Sequence, residues 1–361
     1  MENFRALALQ TKCFAVNDAQ NKTEAHLIIK QTIARLSKQI FASIAFIGLD
    51  TKLVVLPEYF LTSFPMGESI EAWRDKACLE IDGEIYELLG KIAQERQIYL
   101  SGNAYELDKN FPELYFQTSF IIAPTGNIIL RYRRLVSIFA PTPHDVWDKY
   151  LDIYGLEGVF PVAKTDIGNL ACIASEEILY PEIARCLAMR GAEIFCHSSS
   201  EVFGMANTPK NVAKLARAYE NMAYVVSANS GGIANIGIPE NSTDGGSKIV
   251  DYKGLIIAET GQGESINAFA EIDLAALRRN RRRAGMANIL SRQRFELYAE
   301  SYAKHSFYPA NTLLEKKAER AHFVETQKSV IEKLENDGII WFFSHRGQQR
   351  NFNRDEGAGQ G

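Results

Sequence analysis

No CxxC pair, no HExxH and no apolar run approaching the roughly 20 residues of a membrane span occur in this chain. The five cysteines, Cys13, Cys78, Cys172, Cys186 and Cys196, stand far apart. An odd count without a framework argues against a disulfide scaffold and is expected of reduced thiols in a cytoplasmic protein. Six scattered histidines give no ligand spacing, so no metal and no other cofactor is expected. Excess charge is also missing. With 40 Lys and Arg against 44 Asp and Glu the net charge is −4, which gives no electrostatic case for nucleic acid or an anionic membrane. Met1-Glu2-Asn3-Phe4-Arg5 runs straight into a strand-like pattern and lacks the apolar core of a signal peptide.

What is present is an ordinary globular composition, 46% apolar and 23% charged over 361 residues, enough for a large core. Short β-rich runs alternate with helical segments. Strands are predicted at 4–16, 53–57, 98–102, 117–123, 127–133, 169–174, 191–197, 223–229, 248–251, 255–260 and 268–273. The run Leu53-Val54-Val55-Leu56-Pro57 is apolar throughout, as in a strand buried on both faces. Pro124-Thr125-Gly126 and Tyr252-Lys253-Gly254 mark two hairpins. Helices are predicted at 24–41, 81–95, 181–190, 211–222, 291–304 and 311–336. No repeat of roughly 20–50 residues is visible, and no linker divides the chain. The pattern predicts an α/β domain over 1–290, a helical extension over 291–346 and a polar, Gly-rich disordered tail over 347–361. Periodicity alone does not separate a two-sheet core from a doubly wound one.

Residues able to do chemistry cluster at element ends. Glu58, in Leu56-Pro57-Glu58-Tyr59-Phe60, follows a buried strand, where partial desolvation suits a carboxylate to general-base work; a glutamate capping the turn is the structural alternative. Arg134 ends Leu130-Arg131-Tyr132-Arg133-Arg134. Ser175 lies in Ala171-Cys172-Ile173-Ala174-Ser175-Glu176-Glu177-Ile178-Leu179-Tyr180-Pro181-Glu182, between a strand and a helix opened by proline. Cys172, three residues upstream, points to the opposite face of that strand and is expected to be a core thiol. Asp145 closes Pro141-Thr142-Pro143-His144-Asp145. Further blocks run from Arg190-Gly191 to Ser200, over Arg217-Ala218-Tyr219-Glu220-Asn221, over Tyr224–Gly231 and through Gly245-Gly246-Ser247.

In this order, across residues 5–275, these blocks resemble the nitrilase superfamily of carbon–nitrogen hydrolases. The resemblance implies a four-layer α-β-β-α sandwich whose subunits pair through helices, as a homodimer or higher homo-oligomer. The apolar residues of 311–336 are available for such a contact or for the chain's own domain. It also implies a catalytic set of Glu58, Arg134, Ser175 and Asp145, and substrate contacts from Tyr59, Glu176, His197, Ser199 and Asn229. This chain departs from the family at three of the four catalytic positions. Ser175 stands for the family's cysteine, Arg134 for its lysine and Asp145 for its second glutamate. An ordinary loop aspartate fits Asp145 equally well, and a satisfied core histidine fits His197.

Two functions follow. In one, Ser175 attacks a small amide or nitrile, Glu58 is base and acid, and Arg134 stabilises the oxyanion. In the other, the chain is catalytically inactive and binds a small ligand or partner. The loop carrying Trp147 and Tyr150 is expected to cover the site. The run Arg278-Arg279-Asn280-Arg281-Arg282-Arg283 is expected at a solvated helix end or subunit contact rather than on nucleic acid.

Overall fold

The structure is a computed structural model and describes residues 3–202 and 208–341; the tail predicted at 347–361 lies outside them. The first half of the chain runs β1 (Phe4–Ala8), β2 (Cys13–Phe14), α1 (Lys22–Ile47), β3 (Thr51–Val55), α2 (Ile70–Ala77), α3 (Glu84–Arg96), β4 (Tyr99–Leu107), β5 (Tyr115–Ile122) and β6 (Ile128–Arg133). Next come α4 (Trp147–Val159), β7 (Ala163–Thr165), β8 (Gly168–Ala174), α5 (Pro181–Met189), β9 (Ile194–Ser198), α6 (Pro209–Asn221) and β10 (Tyr224–Ala228). The remainder is β11 (Ile233–Ala234), β12 (Lys248–Val250), β13 (Ile256–Glu259), β14 (Phe269–Ile272), α7 (Leu274–Arg282), α8 (Glu296–Ala303) and α9 (Arg320–Asn336).

Two six-stranded sheets form the centre, ordered β14-β1-β3-β4-β5-β6 and β13-β12-β10-β9-β8-β7. In each, a β-α-β-α-β run lays three parallel strands side by side, with antiparallel neighbours outside: β1, β3 and β4 in one sheet, β8, β9 and β10 in the other. The two halves therefore share one topology although their sequences show no repeat. The last strand, β14, returns to the first sheet and pairs antiparallel with β1, Phe4 opposite Ile272.

Alternation along the strands builds the layers. Leu7, Val54, Leu100, Phe120 and Ile122 pack outward on helix residues such as Ile29, Leu36 and Leu89. Ala6, Ala8, Leu53, Val55 and Ile121 turn inward, into one cluster with Leu170, Cys172, Cys196 and Val226 of the second sheet. α1 is capped by Asn21, whose side chain accepts from Glu24 N, and buries Ile29, Ile33, Leu36, Ile40 and Ile44 on one stripe. Beyond residue 290, Leu313 and Phe323 pack into the outer cluster of the first sheet.

The structure corrects several expected elements. The strand expected over 4–16 breaks after Ala8, where buried Gln10 accepts hydrogen bonds from Ser247 N and Thr260 Oγ1 at 2.9 and 2.6 Å. The helix expected from 311 begins at Arg320. Before it, Asn311 N and Leu313 N donate to the carbonyls of His144 and Asp145, which fastens 311–313 to the chain after Arg134. α2, α4 and α7 are additional. Two arginines of α7 are intramolecular clamps: Arg278 pairs with Glu193, and Arg281 donates to the carbonyls of Met222, Ala192 and Asn221.

Candidate active site

The carboxyl ends of parallel strands are where open α/β folds gather ligand groups, and Glu58, Ser175, Ser199 and Asn229 all follow such ends. Ser175 turns out of β8 into the left-handed region, φ 50°, and starts a 3-10 turn, Ser175–Leu179. For a residue other than glycine that conformation costs on the order of 1 kcal/mol and persists only where surroundings impose it.

Two buried side chains impose it. His197 Nε2 lies 2.8 Å from the Ser175 carbonyl and Nδ1 lies 2.8 Å from Ser227 Oγ. A carbonyl can only accept, so Nε2 carries the hydrogen and Nδ1 accepts from the Ser227 hydroxyl. Burial, with the charge of Lys214 second, pulls the imidazole down to about 3, so it is neutral at pH 7. With both nitrogens engaged and the ring fully buried, His197 is a strut behind Ser175 and presents no nitrogen to a substrate. Glu177 is the second support. Its Oε1 accepts from Leu135 N and Val136 N at 2.6 and 3.1 Å, and Oε2 accepts from Tyr132 Oη and Ala174 N at 2.8 and 3.4 Å. Burial pushes this carboxyl up to about 7, against the pull of Arg134, Tyr132 and the two backbone donors.

Glu58 is almost wholly buried, and its Oε1 accepts from Gln117 Nε2 at 2.7 Å and from Arg134 Nη1 at 3.4 Å. Its backbone N–H donates to the Ser199 carbonyl at 3.2 Å, and Ser198 Oγ donates to the Leu56 carbonyl at 2.8 Å, so the two sheets are tied at this point. Arg134 is the hub. Nε donates to Val136 O at 2.7 Å, Nη1 to Gln117 Oε1 at 2.8 Å and toward Tyr59 Oη at 3.5 Å, and Nη2 to Glu176. Burial works against its charge, but Tyr59, Glu58, Glu176 and Glu177 together raise its pKa above the ordinary value. The planar fork of arginine accounts for this many partners; a lysine has three donors on one nitrogen. These bonds engage Nε, Nη1 and one N–H of Nη2.

The other expected residues divide. Tyr59, also at positive φ, stacks on Tyr105 with its hydroxyl toward Arg134. Glu176 is partly exposed beside Arg134. Ser199 and Asn229 shape the turn after β9. Ser199 Oγ donates to Glu201 Oε1 at 3.3 Å, and the Asn229 amide accepts from Glu201 N and donates to the carbonyls of Glu201 and Gly245. Asp145 is not brought to this group by any hydrogen bond among the described residues. Its carboxylate caps the 3-10 turn Pro143–Val146, accepting from Thr142 N and Oγ1 and from Thr312 Oγ1. Tyr150 is core, packed on Phe111 and Arg133. Trp147 instead lines a cavity of about 460 Å³ with Leu135, Phe160, Tyr180 and Tyr308. Cys172 is buried in the inner cluster, as expected.

Sequence reasoning missed Lys210, whose Nζ lies 3.3 Å from Ser175 Oγ. The signal was available. α6 buries Ala213, Lys214, Arg217 and Ala218, and Lys210 lies one turn before Lys214 on the same face.

The family model described as carbon–nitrogen hydrolase matches residues 5–282. The chain belongs to the carbon–nitrogen hydrolase family. It is 27% identical over 251 residues to a nitrilase and fragile histidine triad fusion protein of Caenorhabditis elegans, covering 68% of this chain and 54% of that one, about half its length. It is 26% identical over 259 residues to an omega-amidase of Saccharomyces cerevisiae, covering 70% of this chain and 84% of that one. The crystal structure of a carbon–nitrogen hydrolase from Helicobacter pylori has the same fold, with a TM-score of 0.63 at 21% identity over 84% of this chain and all of that one. The chain thus has the mixed α/β fold of this family. Among the described residues no helix is long and apolar enough to cross a membrane.

Proposed function

We propose that this chain hydrolyses a small amide through an acyl-serine intermediate, with Ser175 as nucleophile and Glu58 as general base and acid. The observation that carries this is the forced left-handed turn at Ser175, held by His197 and Glu177 at the carboxyl end of β8. Strain at a strand-to-helix junction is how a nucleophile is lifted clear of its strand.

In the first step Ser175 Oγ bonds to the amide carbon, the C=O π pair moves onto oxygen, and the serine proton passes to Glu58. Collapse of the adduct breaks the C–N bond, and Glu58 returns the proton to the departing ammonia or amine. Water then adds to the ester with Glu58 taking its proton, and the acid leaves as Oγ recovers a proton. Arg134 keeps the Glu58 carboxylate in one place and balances its charge. An amide is preferred to a nitrile because serine addition to a nitrile yields a poorly stabilised imidate. The C. elegans relative is named a nitrilase fusion and the S. cerevisiae relative an omega-amidase, so both substrate classes belong in the test. A homo-oligomer and a cytoplasmic location remain part of this reading.

Ammonia release is measured on a panel of amides and nitriles with the native chain, Ser175→Ala, Ser175→Cys and Glu58→Gln. The proposal expects amide turnover that is lost in the Ala and Gln variants. Turnover unchanged in Ser175→Ala refutes it. A silent native chain with an active Cys variant assigns the alternative role, a competent pocket that binds without reacting.

A further inference from the structure

We propose that Lys210 is a catalytic residue, the cation that stabilises negative charge on Ser175 Oγ and on the oxygen of the adduct; this rests on the serine mechanism above. In the family pattern that the sequence resembles, the cation follows the strand that ends at Arg133. Here Arg134 occupies the place, but its donors go to Val136, Gln117, Tyr59, Glu58 and Glu176. Among the described residues, the cation hydrogen-bonded to Ser175 Oγ is Lys210, at 3.3 Å.

Its surroundings argue against a solvated surface lysine. Lys210 is half-buried at the start of α6, after the Thr208 cap and Pro209, with no acidic residue in that first turn. A cation there is opposed by the helix dipole. Lys214 and Lys248 are close enough for Lys210 and Lys248 each to disfavour the charge on Lys214. Lys214 is compensated by Glu201 and Lys248 by Glu259, but among the described residues no carboxylate pairs with Lys210. Two carboxylates thus serve three ammonium groups, and the one left over donates to the candidate nucleophile. Lys210 feels Glu201 at longer range but has no direct carboxylate pair among the described residues, so its charge gains a partner when an anion forms on Oγ or on the carbonyl oxygen, which is the differential interaction that lowers a barrier. With one lone pair of Oγ filled by Lys210, the serine's own hydrogen is directed to another acceptor.

The test uses the full chain and Lys210→Met, Lys210→Arg and Lys210→Ala. Steady-state amide hydrolysis is read together with labelling by a fluorophosphonate, in which Oγ bonds to phosphorus and fluoride leaves. Lys210→Met should lower kcat roughly 100- to 1,000-fold with KM little changed, and labelling should slow in parallel. Lys210→Arg should fall between, and ethylammonium should restore part of the rate to Lys210→Ala. Thermal melts establish that each variant is folded, and the Arg variant preserves the reading if Met does not fold. A raised KM with unchanged kcat overturns the proposal, because it makes Lys210 a ground-state substrate contact. Native activity abolished by Ser175→Ala but unaffected by Lys210→Met refutes the lysine role alone. A native chain that neither turns over amide nor takes the label removes the serine mechanism and this proposal with it.

Discussion

Glu58 donates its backbone N–H to the carbonyl of Ser199, 3.2 Å away in the facing sheet, and so the candidate base is positioned by the same contact that joins the two halves of the chain. Ser198 Oγ, on the Leu56 carbonyl, makes the neighbouring tie. Ser198→Ala leaves that buried carbonyl without its side-chain donor and should cost about 1–3 kcal/mol of stability. Amide turnover should fall with it, because Glu58 loses part of its fixing. Urea unfolding alongside steady-state kinetics checks this; a variant as stable as the native chain shows the tie to be dispensable.

Arg134 holds Glu58 and Glu176 in a largely buried network. Arg134→Met should destabilise the fold by about 3–5 kcal/mol, the usual cost of stranding a buried carboxylate. Arg134→Lys keeps the charge but loses the fork, so it should recover only part of the stability. Equal unfolding midpoints for the Lys variant and the native chain would mean that charge, and not geometry, is what the site requires.

His197 gives stability a pH dependence. Its folded form titrates at about 3, below the ordinary 6.5, chiefly because of burial. Between those values the unfolded chain binds the extra proton. The stability contributed by neutral His197 is therefore complete above about 6.5 and is lost as pH falls toward about 3. Unfolding midpoints against pH should show a flatter slope over that window in His197→Gln. An unchanged slope would assign the acid sensitivity elsewhere.

Asp145 caps a turn and anchors Thr312. Asp145→Ala should cost about 0.5–2 kcal/mol, as cap losses do, with kcat of the folded enzyme changed only a few-fold. A hundredfold fall in kcat in a folded variant would return Asp145 to the reacting groups.

The strands around the site were legible because buried parallel strands are short, continuous apolar runs, such as Leu53–Val55 and Leu170–Ala174. α4 is not legible as a helix because Gly155 and Gly158 interrupt its pattern, and Gly155 is non-helical, φ 62°. The segment 311–319 carries apolar residues at helical spacing but spends Asn311 N and Leu313 N on the His144 and Asp145 carbonyls, a long-range contact invisible to local periodicity. Glu58, Arg134 and Ser175 could be found because each ends an identifiable strand. Which of them touch could not, since Arg134 meets Glu58 across 76 positions and Lys210 meets Ser175 across 35.

The pairing of β14 with β1 sets an order on how the chain is made. Asn3 donates to Glu271 at 2.6 Å across 268 positions, so the outer edge of β1 has no partner strand until Phe269–Ile272 has been synthesised. At about 5–20 residues per second that edge stays open for tens of seconds. An open strand edge is a template for pairing with other chains. Chains stopped just before residue 269 are therefore expected to aggregate where the full chain stays in solution, and sedimentation of the two after synthesis in a cell-free extract compares them; a truncated chain that stays in the supernatant would show that something else shields the edge.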